Sequence, residues 1–261
     1  MSILSEIVES KKEELEKLKR NKRLEGLKTE LKKAPKIRDF KSGISDKGVI
    51  NLIAEIKRRS PSIGIIRKDL DIEETSNIYQ ENGAKAISVL TDQQYFNGSL
   101  DDLRVAKETT SLPILRKDFI IDPYQIYESR VWGADCILLI ASILEDSQLE
   151  DFIALSRDLG MASIIEVHSA EEVDRVLSVS SEIIGINNRN LNDFSCDLKT
   201  TFRLVKDIPG DKIKVSESGI KSSEDVKNLR ASGIDAILVG EVLLKSPDIG
   251  KKMRELTLSS D

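Results

Sequence analysis

From Gly48 onward, short apolar runs alternate with longer segments of helical period, and this alternation leaves the chain few folds to choose from. The runs are Val49 to Ile56, Ala86 to Leu90, Pro113 to Leu115, Cys136 to Ile140, Ala162 to Val167, Ile183 to Ile186, Ile213 to Val215 and Ala236 to Val239. Short, almost wholly apolar runs are how strands covered on both faces of a parallel sheet read. Between them lie helix-start signals: Asp122-Pro123, Ser169-x-x-Glu172, Ser222-x-x-Asp225 and Ser246-Pro247. In each, a side-chain oxygen is placed to cap first-turn N–H groups, or a proline opens the helix. Each strand is thus followed by a helix.

Eight parallel strands fit a closed barrel better than an open doubly wound sheet, which has about five to seven. No Gly-x-Gly-x-x-Gly follows the first run and no Gly-x-x-x-x-Gly-Lys-Ser/Thr occurs, so dinucleotide and P-loop readings lose their main support. The expected architecture is α/β, a single (β/α)8 TIM barrel over residues 1–261 with residues 1–48 as an N-terminal helical extension. In that extension Ile3, Leu4, Ile7, Val8, Leu15 and Leu18 fall near helical spacing up to about Leu31. The stretch from Ala34 to Gly48 reads as a loop whose basic residues form a solvated face. Trp132 is expected to pack a helix against the barrel rather than to stack on a ligand.

Charge narrows the partners. With 40 Lys and Arg against 45 Asp and Glu, the chain has no footprint for nucleic acid, and a small anionic substrate would need locally clustered cations. The apolar runs are far too short to cross a bilayer. The first residues, Met1-Ser2-Ile3-Leu4, lack the basic start and long apolar core of a signal peptide, so a cytoplasmic location is expected. Cys136 and Cys196 belong to no metal-binding pattern, and His168 is the sole histidine, so neither a multi-histidine metal site nor a hydrolase triad can be assembled.

The polar residues collect where a barrel carries its chemistry, at the C-terminal ends of the strands. Alternation puts Glu55 and Lys57 on one face of the first strand, and Asn187 and Arg189 share a parity after the sixth. The third run leads into Arg116-Lys117-Asp118-Phe119 and the fifth contains Glu166 ahead of His168. Glycines at 219 and 240 after the last two strands can present backbone N–H groups to a phosphate, or can simply permit tight turns. For any single residue a structural explanation, such as a surface ion pair between Glu55 and Lys57, competes with a functional one. Their recurrence at successive strand ends is the stronger signal.

The segment Ile53-Ala54-Glu55-Ile56-Lys57-Arg58-Arg59-Ser60-Pro61-Ser62 resembles the signature of the indole-3-glycerol-phosphate synthases. Ser88 to Asp92, Tyr95 to Gly98, Pro113 to Phe119, Glu166 to His168, Gly185 to Arg189 and Ser216 to Ile220 follow in that family's order and spacing. The resemblance spans nearly the whole chain. It implies decarboxylating, dehydrating ring closure of 1-(o-carboxyphenylamino)-1-deoxyribulose 5-phosphate to indole-3-glycerol phosphate, without cofactor or metal. By similarity Lys117 is the general acid, Glu166 the second acid/base group, and Glu55 a carboxylate that orients or exchanges protons with the intermediate. Lys57 is an alternative participant in dehydration. Asn187 and Arg189 match binding residues for the anthranilate portion, and Phe96 and Phe119 match its apolar ring contacts. Phosphate falls to Lys57, Ser60, Ser218 and the backbone around Gly219 and Gly240. Glu241 stands where some members carry serine, which puts a side-chain phosphate contact there in doubt; Asn188 and Arg59 also vary. The chain running out just past its eighth helix, at Thr257-Leu258, is expected to be monofunctional, and a monomer or weak homo-oligomer. Two rivals remain at this point: a neighbouring phosphate-binding barrel enzyme, which would lack Glu55-x-Lys57 combined with Lys117 and Glu166, and a non-catalytic ligand-binding barrel.

Overall fold

The computed structural model describes residues 3–190 and 194–257; Met1, Ser2 and Leu258, used in the expectations above, lie outside them. Eight parallel strands close into a barrel: β1 (Asn51–Ile56), β2 (Ala86–Leu90), β3 (Ile114–Lys117), β4 (Cys136–Ile140), β5 (Ala162–Val167), β6 (Ile183–Asn187), β7 (Ile213–Glu217) and β8 (Ala236–Val239). Consecutive strands pair in order and β1 pairs with β8, so no edge is left open. All eight expected runs are strands. Three of them, β3, β6 and β7, extend one or two residues beyond their last apolar residue, into Lys117, Asn187 and Glu217.

Period-two alternation splits the core into two shells. Residues such as Leu52, Ile87, Ile137, Ile165, Ile184 and Ile237 face outward against the helices, while Ile53, Leu115, Leu138, Ile164, Val215 and Leu238 fill the barrel. Pairing register then aligns the upper inward tier: Leu90 lies beside Lys117, Ile140 beside Glu166, Glu166 beside Gly185, and Asn187 beside Glu217.

Of the four helix-start signals, three hold. Asp122, Ser169 and Ser222 accept from the backbone N–H groups of Tyr124, Glu172 and Asp225. At Ser246-Pro247 the cap is instead Asp248, whose Oδ1 accepts from Lys251 N at 2.8 Å, and the last helix starts at Ile249. Proline two residues before the helix left Asp248 the first residue able to present a short carboxylate to the open N–H groups.

The extension supplies α1 (Ile3–Asn21), α2 (Leu24–Glu30), a 3-10 turn (Leu31–Lys33) and, within the stretch read as a loop, the four-residue α3 (Phe40–Gly43). Asp39 caps α3 by accepting from Ser42 N at 2.9 Å. Phe40 and Ile44 belong to the inner shell, and Gly43 sits against Pro113 and the Lys85 carbonyl just ahead of β3 and β2, so α3 stops the N-terminal mouth of the barrel. The basic residues here are not merely solvated. Arg38 donates to the carbonyls of Leu112 and Lys107, each at 2.7 Å. Trp132, at the end of the helix Pro123–Val131, packs against the outer shell with the Arg104 guanidinium 5.2 Å over its ring.

At the other mouth lies α1, held by Lys11. Its ammonium is buried between Asp92 (3.0 Å) and Asp118 (3.1 Å), with Glu14 at 2.7 Å. Burial alone would pull its pKa down, but the three carboxylates overcompensate and push it above the ordinary lysine value. The pairing fixes Ile3, Leu4 and Ile7 as a roof over the C-terminal ends of the strands. Among the described residues no helix is long and apolar enough to cross a membrane.

Candidate active site

Beneath that roof is a cavity of about 480 Å³, lined by every residue singled out from the sequence: Glu55, Lys57, Ser60, Phe96, Lys117, Phe119, Glu166, Asn187, Arg189, Ser218, Gly219 and Gly240. They arrive there by parity. Ile53, Leu115, Ile164 and Leu238 point into the barrel, so the residues two positions on, Glu55, Lys117, Glu166 and Gly240, form the next inward tier, open to the cavity.

Lys117 is the centre of this tier. Its ammonium lies 2.6 Å from Glu217 Oε2 and 3.3 Å from Glu166 Oε2. Burial would favour the neutral amine, yet Glu217, Glu166 and Glu55 outweigh it and raise the lysine well above its usual range. Glu166 shows the reverse balance: burial pushes its pKa up, and Lys117, His168 and a hydrogen bond from Asn187 bring it below the ordinary glutamate value. Glu166 is therefore an ionised carboxylate in a nearly water-free wall.

Glu217 was not singled out from the sequence. It does not line the cavity but supports the floor directly under Lys117, 1% exposed, with Oε1 lacking a hydrogen-bond partner. Burial raises its pKa to about 7, Glu166 and Glu55 adding to the rise while Lys117 opposes it. The sequence did hold a signal. Ile213 and Val215 set the parity of β7, and the same parity turns Glu217 inward; ending the strand at its last apolar residue hid it.

Two glycines make room for these carboxylates. A Cβ at Gly185 would clash with the Glu217 carboxylate and lie 2.9 Å from Ile164 Cγ2; one at Gly240 would clash with the Glu55 carboxylate and lie 2.9 Å from its Cβ. Gly240 has a φ of −132°, open to any residue, so close approach rather than turn conformation requires glycine there. Gly219, at φ +80°, does need left-handed backbone, and Ser218 before it adopts φ +67°. A serine in this region is held there by its surroundings, a feature that concentrates at ligand sites.

The cationic end of the cavity is built around Glu55 and Glu241. Lys57 pairs with Glu55. Arg189 donates to the Phe194 carbonyl at 3.1 Å and approaches Glu241 at 3.6 Å, and Lys245 holds the other oxygen of Glu241 at 2.8 Å. The Glu241 side chain thus organises cations instead of offering a hydroxyl. Ser60 Oγ lies 3.1 Å from Ser62 Oγ. At the opposite side Phe96 and Phe119 stand 6.1 Å apart between ring centroids, tilted by 37°, and continue the apolar surface of Ile3, Leu4 and Ile7. The site thus places a cationic end, an apolar slot and a charged floor within one enclosure. His168 lies outside it, behind Glu166.

Comparison with known proteins identifies the family. The family described as "Indole-3-glycerol phosphate synthase" matches residues 4–256. A protein of that name from Legionella pneumophila (strain Paris) is 46% identical over 256 residues, 98% of each chain, and one from Desulforamulus reducens is 43% identical over 258 residues, 98% of this chain and 97% of that one. Among solved structures, 3-hexulose-6-phosphate synthase from Salmonella typhimurium superposes with a TM-score of 0.65 at 12% identity over 80% of this chain and 98% of that one, a likeness of fold alone. The chain belongs to the indole-3-glycerol phosphate synthase family, the decarboxylating lyases of tryptophan biosynthesis.

Proposed function

We propose that Lys117 is the general acid of ring closure, with Glu166 and Glu55 as the carboxylates that move protons around it. The observation that carries this reading is the Lys117 ammonium fixed between Glu217 and Glu166 at the cavity floor. As the ring carbon bearing the carboxylate attacks the ketone carbon, the ketone oxygen gains negative charge and takes a proton from Lys117. Loss of carbon dioxide leaves its electron pair to restore the aromatic ring, which is why neither metal nor organic cofactor is required. Dehydration follows: the new hydroxyl leaves as water with a proton from Lys117, or from Lys57 on its Glu55 partner, and ionised Glu166 takes the proton from the adjacent carbon. Glu217, with a pKa near neutrality, can return a proton to Lys117.

The cationic end suits the phosphate, bound by Lys57, Ser60, Ser218 and the N–H groups around Gly219 and Gly240. Asn187 and Arg189 hold the anthranilate portion, and Phe96 and Phe119 clamp its ring. Enclosure of this kind folds an extended substrate so that its carbons meet. The chain acts as one barrel domain over residues 1–261, with 1–48 as its extension, in the cytoplasm, as a monomer or weak homo-oligomer, on a small phosphorylated molecule and not on nucleic acid.

The test is indole fluorescence on mixing the protein with 1-(o-carboxyphenylamino)-1-deoxyribulose 5-phosphate without added metal, alongside Lys117→Ala. Wild type produces the signal and Lys117→Ala, folded by circular dichroism, loses it. An active Lys117→Ala protein removes the general-acid assignment.

A further inference from the structure

β5 ends at Val167 and the chain turns at once into α4 (Ala170–Ser178), capped by Ser169. The one residue between strand and cap is His168, the only histidine of the chain. Glu172, in the first turn of α4, sends its carboxylate back so that Oε2 accepts from His168 N at 2.7 Å and lies 3.4 Å from His168 Nδ1. On the other side, Nε2 lies 3.4 Å from Glu166 Oε1. The second oxygen of Glu166 faces Lys117. A continuous line therefore runs from the cavity floor through Glu166 and the imidazole to an outer helix.

The imidazole is 18% exposed and is not part of the cavity wall, so it acts on the reaction only through Glu166. Each ring nitrogen faces a carboxylate oxygen. Nε2 makes no hydrogen bond, so the ring acts on Glu166 as a charge: an imidazolium attracts both carboxylates, a neutral ring neither.

We propose that His168 is a positioning residue which, as an imidazolium between Glu166 and Glu172, keeps the Glu166 carboxylate ionised and aligned toward Lys117. The charged groups around it come from three elements: Glu166 of β5, Glu172 of α4 and Glu217 of β7, with Lys117 of β3 on the far side of Glu166. Burial would deprotonate the ring, but the hydrogen bond to Glu172 and the charges of Glu166, Glu172 and Glu217 raise its pKa above the ordinary histidine value. The inference rests on Glu166 being the proton-accepting group of the reaction.

The experiment is the dependence of kcat and KM on pH over roughly pH 3.5 to 8, a range that spans the carboxylate limb, read by indole fluorescence, for wild type, His168→Gln, Glu172→Gln and Glu166→Gln. Glutamine at 168 keeps an amide donor and removes the charge. Losing a cation within about 4 Å of a carboxylate raises that carboxylate's pKa by about one unit or more. The acid limb of kcat in His168→Gln therefore moves up by about one pH unit, lowering turnover about tenfold on that limb, while the two profiles meet above neutrality and KM stays within about twofold. Glu172→Gln, which weakens the hold on the imidazolium, moves the limb in the same direction by less. An acid limb unchanged in both variants, or a fall of equal size at every pH, overturns the proposal. If Glu166→Gln itself turns over normally, it is the assignment of Glu166 that fails; if Glu166→Gln is dead and His168→Gln titrates like wild type, the role of His168 alone is refuted.

Discussion

Replacing Glu217 by Gln should make the protein more stable and less active, and the size of the gain should depend on pH. The carboxyl has a folded pKa of about 7 against 4.5 for an unhindered glutamate. A carboxyl whose folded pKa exceeds its unfolded value keeps its proton in the folded chain across this window, while the unfolded chain releases it. Stability from this group is therefore complete below about pH 4.5 and is lost as pH rises through about 7. Two and a half units at 1.36 kcal/mol each give about 3 kcal/mol, an upper bound because Lys117 and Glu166 share the titration. Glutamine imitates the protonated form at every pH. Above neutrality Glu217→Gln should thus unfold about 3 kcal/mol later in urea, or roughly 6–12 °C higher on heating, and the difference should vanish near pH 4.5. Turnover should fall about a hundredfold, because Lys117 loses the carboxyl group 2.6 Å away that holds it as an anion and returns a proton to it as an acid. Equilibrium unfolding of both proteins at acid and alkaline pH isolates the effect, since all other groups cancel in the difference. A stability gap equal at both pH values would refute the assignment of a raised carboxyl here.

Two further perturbations probe what surrounds the floor. Lys11→Met leaves Asp92 and Asp118 buried without their shared cation and should cost about 3–5 kcal/mol, with α1 becoming the first segment cut by protease; an unchanged urea midpoint would show that the lysine is dispensable. Gly240→Ala drives a methyl into the Glu55 carboxylate and should cost about 1–3 kcal/mol together with most of the turnover, which a thermal melt and the fluorescence assay measure side by side.

The barrel was legible because parallel strands covered on both faces are mostly apolar on both, so the eight announce themselves as short, mainly apolar runs, even where Asn51, Ser88, Ser163 or Lys214 interrupts them. What escaped were the places where that rule stops. β7 continues through Ser216 and Glu217 because the ladder to β6 and β8 extends past the apolar residues, and function occupies the last inward position. The Ala34 to Gly48 stretch hid α3, too short to show a period. In α1 only apolar residues were read as the buried stripe and Lys11 was passed over, although Ile7, Lys11 and Leu15 share a four-residue spacing and all three are buried. A lysine at an apolar stripe position reads in hindsight as a cation expecting buried acids. Twelve of the residues lining the cavity could be named in advance: Glu55, Lys57, Lys117, Glu166, Asn187 and Arg189 because polar residues recur at strand ends, where barrel geometry forces convergence, Gly219 and Gly240 because they follow the last two strands, and Phe96, Phe119, Ser60 and Ser218 through the family resemblance.

That convergence also explains which carboxylate must give way. Glu55, Glu166 and Glu217 occupy one inward region of a narrow barrel, and Lys117 is the cation central to all three. Three charges of one sign at such separations in a nearly dry interior cost more than one ammonium returns. Each of the three finds a different solution. Glu55 has Lys57 beside it at the cavity edge, and Glu166 has Lys117, Asn187 and the imidazole of His168. Glu217 lies deepest and shares Lys117 with Glu166, so it keeps a proton near neutrality. Parity and a count of inward charges therefore contain the raised pKa before any atom is placed: more inward acids than inward cations on one tier leaves a carboxyl able to donate where the reaction needs a proton.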